Sequence, residues 1–71
     1  MNEQIIAGIG KKMRYIRQQQ NLKLHEVAQV AGVSKSLLSK IENGRSVPSV
    51  PVLLSLIKAL NVEFSTFFEG I

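Results

Sequence analysis

LHEVAQVAGVSKSLLSKIEN, residues 24–43, is the stretch that decides how this chain folds. Leu24, Val27, Ala28 and Ala31 recur at spacings of three and four, which places them on one face of a helix of about residues 23–30. Gly32 ends that helix, because glycine takes a left-handed φ without a Cβ penalty. Ser34 is a good N-cap for a second helix over 34–42, whose apolar positions are Leu37, Leu38 and Ile41. Two helices joined by a short turn on Gly32 make a helix–turn–helix over about residues 23–43. Helices this close must cross steeply, which demands a small residue where they touch. Ala28 supplies it, and Val33 is apolar enough to tuck beneath the turn. Leu38 and Ile41 then turn inward, and Lys35, Ser36, Ser39 and Lys40 face solvent.

Toward the N-terminus, Ile5, Ile6, Ile9, Met13 and Ile16 form one apolar stripe along a helix of about residues 5–19. Gly8 and Gly10 weaken its start, so its firm part is expected from Ile9, and Asn21 supplies a left-handed stop. Toward the C-terminus, Asn43-Gly44 closes the second helix of the pair, since both residues accept a positive φ. RSVPS (45–49) is a loop, and Ser49 caps a helix with Pro51 in its first turn. Val52, Leu53, Leu56, Ile57 and Leu60 give that helix a broad buried face, ended by Asn61. A last short helix near 63–69 carries Phe64, Phe67 and Phe68. The class expected from periodicity is all-α, with five helices in one domain over residues 1–71.

Composition narrows the function. Among 71 residues there is no cysteine, no aspartate and one histidine, His25. Disulfides, thiolate metal sites and any nucleophile–base–orienter set therefore lack their parts, so no cofactor, metal or enzymatic activity is expected. No apolar run approaches the roughly 18 residues of a membrane span, and MNEQIIAGIGKK does not read as a signal peptide, so a cytoplasmic chain is expected. Charge is uneven. Residues 11–45 hold eight Lys and Arg against Glu26 and Glu42, a net +6, whereas the rest holds Lys58 against Glu3, Glu63 and Glu69, a net −2. A basic half joined to a slightly acidic half suits a surface that meets a polyanion.

The joint pattern of AGVS, LSKIENG, PS and ALNV, in order and without insertion from Ile9 to Phe68, resembles the phage repressor and Cro type of helix–turn–helix, the XRE family. The resemblance implies a five-helix lambda-repressor-like DNA-binding domain. The first helix of the pair would lie across the DNA backbone and the second would enter the major groove. Lys35, Ser36, Leu37, Ser39 and Lys40 then correspond to base-reading positions: lysine donates to guanine O6 and N7, serine is permissive, and leucine can touch a thymine methyl. For Leu37, ordinary helix packing is an equal alternative. Phosphate contacts would come from helix-start N–H groups, Lys23, Asn43, Gly44 and Arg45, although Asn43 and Gly44 can simply end a helix.

An arginine late in the first helix and the glutamate of I-E-N-G pair in the family; here they are Arg17 and Glu42. A partly buried structural bridge is expected, with Arg17 also able to face phosphate. Two positions depart from the family: Lys23 and Leu24 stand where a Ser or Thr cap and a phosphate-binding Gln are common, so the cap is weakened and Lys23 offers a looser ionic contact. His25 and Tyr15 read as solvated surface residues.

One module of this size makes too few base contacts for genomic specificity, so a homodimer on a palindromic operator is expected, with half-sites about 34 Å apart. Phe67, Phe68 and Ile71 are the candidates for self-association; the alternative is that the phenylalanines are core, with Phe64 and one other expected there. The rival to a DNA-binding transcription regulator is a protein-interaction module whose basic face meets an acidic partner protein.

Overall fold

The computed structural model describes residues 3–71, so Met1 and Asn2 of the expected 1–71 domain lie outside the described residues. Five helices follow one another: α1 (Glu3–Gln19), α2 (Leu24–Ala31), α3 (Lys35–Glu42), α4 (Val50–Ala59) and α5 (Phe64–Phe67). No strand occurs among the described residues.

Local chemistry sets most boundaries. Ser34 Oγ accepts the Leu37 N–H at 3.0 Å and Ser49 Oγ that of Val52 at 3.4 Å. The weak cap at Lys23 is compensated from the other side, because the Glu26 carboxylate accepts the Lys23 N–H at 2.8 Å. Three helices end in the same bonded loop around a left-handed residue. Asn21 (φ 56°), Gly32 (φ 74°) and Gly44 (φ 71°) each let the following N–H reach back, from Leu22 to Arg17 O, Val33 to Ala28 O and Arg45 to Lys40 O. Asn43 itself stays at φ −93°, so only Gly44 takes the positive φ that was expected of both.

α3 lies against α1 and α2, α4 packs on α2, and α5 closes the end of α4. Met13, Val27, Ala28, Leu38, Ile41, Leu56, Ile57, Leu60 and Phe67 form the core, with Ile9, Ile16, Leu37 and Val33 packed at its edge. Removing a side chain such as Leu38, which has no solvent exposure, costs about 2–5 kcal/mol in comparable cores.

The sequence expectations need three corrections here. α1 is continuous from Glu3, not firm only from Ile9, and Ile5 is 48% exposed instead of core. Gly10 is buried and no weak point: a Cβ built there would run into the Ile41 carbonyl oxygen and lie 2.8 Å from that of Glu42. The helix tolerates this glycine because α3 rests on it backbone to backbone. Third, Phe67 is wholly buried and cannot serve self-association, while Phe64, expected in the core, is 50% exposed. α5 is a single turn, and the ring it directs inward is Phe67; Phe64 is left at the rim against Phe68, 4.8 Å between centroids.

Candidate nucleic-acid interface

α3 has a held side and an open side. Leu38, Ile41 and Glu42 are buried beneath it. Lys35, Ser36 and Lys40 are exposed and Ser39 is half-buried. Leu37 is half-buried and packs against the edge of the core, the contact that its packing alternative expects. The side chains of Lys23, Lys35, Lys40 and Arg45 are exposed, and none has an ion-pair partner among the described residues. Lys35 and Lys40 on α3, Arg45 just after it and Lys23 at the start of α2 thus carry uncompensated charge among the described residues.

The C-terminal end of α3 is built in the opposite way. Ala7, Gly10, Arg14 and Arg17 recur at helical spacing along the side of α1 that meets it. Ala7 sits under Gly44, and Gly10 sits under the carbonyls of Ile41 and Glu42. Arg17 Nε donates to Glu42 Oε2 at 2.8 Å and Nη2 to Oε1 at 3.0 Å, a two-pronged pair, while Nη1 donates to the Leu22 carbonyl at 2.9 Å. The Glu42 side chain is 2% exposed and that of Arg17 13%. The hydrogen bond to Glu42, helped by the carboxylate's charge, raises the Arg17 pKa above its ordinary value even though burial pulls it down. Placing cations at this end also suits the negative end of the α3 dipole.

The bridge expected between Arg17 and Glu42 is present, and it leaves the Arg17 side chain only 13% exposed, against 44% for Arg14. Each of the three Arg17 nitrogens already donates inside the protein. The loop amides are occupied as well: Asn43 N–H donates to Ser39 O and Gly44 N–H to Ile41 O. Asn43 Nδ2 donates to Ser39 O at 2.8 Å and its Oδ1 accepts from Arg14 Nη2 at 2.8 Å. Asn43 and Gly44 thus close the helix, with both backbone N–H groups and one of the two Nδ2 hydrogens of Asn43 engaged inside the protein. Sequence reasoning missed Gly10 and Arg14. The signal was present in their spacing, seven and three residues before Arg17 on the same helix.

Among the described residues no cluster of His, Cys, Asp or Glu could hold a metal ion, and no helix is long and apolar enough to cross a membrane.

Comparison with known proteins gives a consistent result. A family model described as Helix-turn-helix, HTH_3, matches residues 13–67. The HTH-type transcriptional regulator SutR of Escherichia coli K12 is 37% identical over 67 residues, covering 94% of this chain and 38% of SutR. Its namesake in function, the HTH-type transcriptional regulator PuuR of the same organism, is 36% identical over 60 residues, covering 84% of this chain and 32% of PuuR. The chain therefore spans about a third of the length of these relatives. Among solved structures, the restriction-modification controller protein C.AhdI from Aeromonas hydrophila superposes with a TM-score of 0.84 at 25% identity, over 89% of this chain and 96% of that one.

Proposed function

Because the chain belongs to the HTH_3 helix-turn-helix family, we propose that it is a sequence-specific, double-stranded DNA-binding transcription regulator without enzymatic activity or cofactor. One observation carries this reading: α3 is anchored from beneath by Leu38, Ile41 and Glu42 while Lys35, Ser36 and Lys40 stand open. In this reading α3 lies in the major groove, and Lys35, Ser36, Ser39 and Lys40 meet base edges. Lys23 and Arg45 meet phosphates on either side. Two chains act together on a palindromic operator. Phe64, Phe68 and Ile71 supply the apolar surface for that pairing, with Phe67 beneath them in the core. The protein works in the cytoplasm, on the nucleoid when bound.

The controller protein C.Esp1396I, with a TM-score of 0.85 at 20% identity over 90% of this chain and 84% of that one, has been solved as a tetramer in complex with its natural 35 base-pair operator. At that identity the likeness concerns the fold.

Selection of bound fragments from a random DNA library tests the proposal, followed by mobility-shift titration of the winner at two salt concentrations. A palindromic winner is expected, with affinity falling as salt rises by a log–log slope of about −0.9 per phosphate contact. A flat salt response, or no enriched fragment, would move the basic face to an acidic protein partner.

A further inference from the structure

Two arginines reach the end of α3, and one of them is not used up by the fold. Arg17 is nearly buried and neutralises Glu42 by itself through two short hydrogen bonds. Arg14, one turn earlier, keeps 44% of its side chain exposed, and its Nε lies a long 3.4 Å from Glu42 Oε1. Its Nη2 donates to Asn43 Oδ1 at 2.8 Å, and its Nη1 makes no hydrogen bond among the described residues. The set of Arg14, Arg17 and Glu42 therefore carries one unbalanced positive charge, and that charge sits at the solvent edge.

Its place in the fold gives the charge a use. Asn43, which Arg14 holds, follows Lys40 by three residues and precedes Arg45 by two. Both neighbours are exposed cations without ion-pair partners among the described residues. The helix end alone would repel a polyanion through the negative end of its dipole. A guanidinium at this spot opposes that repulsion. Its planar fork also allows one edge to grip the protein while the other takes a phosphate oxygen.

We infer that Arg14 is a DNA phosphate-binding residue, whose Nη1 edge receives a backbone phosphate while Nη2 keeps Asn43, and through it the end of α3, in place. This rests on the DNA-binding reading above and adds a contact from α1, outside the helix–turn–helix. Of the two arginines, Arg14 is the more open to a phosphate, at 44% side-chain exposure against 13% for Arg17.

The full chain and its variants Arg14→Gln and Arg14→Lys are titrated by mobility shift against the selected duplex and an unrelated one, between 0.05 and 0.2 M salt. Thermal melting checks that each variant is folded. Loss of one phosphate contact in Arg14→Gln should weaken both duplexes alike, about eightfold near 0.1 M salt, and reduce the salt slope by about 0.9. Arg14→Lys, which keeps the charge, should retain the slope. As a second measurement, methylphosphonate linkages are placed singly along the duplex. One linkage should be costly to the unaltered chain and neutral to Arg14→Gln. A slope in Arg14→Gln equal to that of the unaltered chain, or a loss confined to the selected duplex, overturns the assignment and leaves the DNA-binding reading standing. Failure of the unaltered chain to bind any duplex at 0.05 M salt overturns both.

Discussion

The two sides of α3 are built on different principles. Underneath, it meets α1 and the core through contacts that leave no slack: a glycine against two carbonyl oxygens, a buried carboxylate with three N–H donors, and Leu38 and Ile41 with almost no exposure. On the outside, Lys35, Ser36 and Lys40 make no side-chain hydrogen bond or ion pair among the described residues. The held side fixes where the helix lies, and the open side is left to what it touches. Substitutions on one side should therefore register as stability, and on the other as recognition.

The largest test of that division is Arg17→Met. It leaves Glu42 buried with only the long contact from Arg14, and breaking a buried pair from one side costs about 3–5 kcal/mol. The lower end is expected, read by urea denaturation. Removing both charges, in Arg17→Met with Glu42→Leu, should recover much of the loss. The sign of its pH dependence follows from the raised Arg17 pKa. A cation whose pKa is raised on folding contributes in full below its ordinary value and loses the contribution only as pH climbs through the raised one. The difference in midpoint between the unaltered chain and Arg17→Met should thus be constant from pH 7 to 10.

Gly10→Ala comes next. A methyl group there meets backbone, which cannot rotate aside, and overpacking of this kind costs about 1–3 kcal/mol, against a gain of about 1 kcal/mol in helix propensity. A lower melting temperature is expected, together with a larger loss of DNA affinity than instability explains, because α3 is pushed off its seat. A variant as stable as the unaltered chain would break the picture of a rigid underside.

On the open side, Lys40→Ala should leave the melting temperature alone and relax preference at one base position, by about 1–3 kcal/mol if the contact to guanine is two-pronged. Binding selection on the variant checks it; an unchanged preferred sequence removes Lys40 from the reading set. Arg45→Ala should have the smallest effect, an equal weakening of all sequences with a salt slope smaller by about 1.

This division also explains what could be read in advance. The helix–turn–helix bounds, the caps at Ser34 and Ser49 and the left-handed stops at Asn21 and Gly32 are matters of neighbouring residues, so they were legible. The partnership of Arg17 with Glu42, 25 residues apart, was accessible only through family resemblance. Gly10 was misread because its helix-weakening tendency is local whereas its contact with α3 is tertiary. The same holds for Phe64 and Phe67: spacing places both rings on a one-turn helix without saying which enters a core shared with α4. The use of donors inside the fold was illegible too. That Arg17 and the backbone N–H groups of Asn43 and Gly44 donate within the protein depends on Glu42 and on the Leu22, Ser39 and Ile41 carbonyls brought close by folding.

The glycine seat under α3 has a corollary for redesign. Since the rod is located by main-chain oxygens on a main-chain carbon, its docking is indifferent to the identity of outward side chains. On the proposed DNA-binding reading, the exposed positions 35, 36 and 40 are then the ones to rewrite together, as an interchangeable reading head on one unchanged chassis.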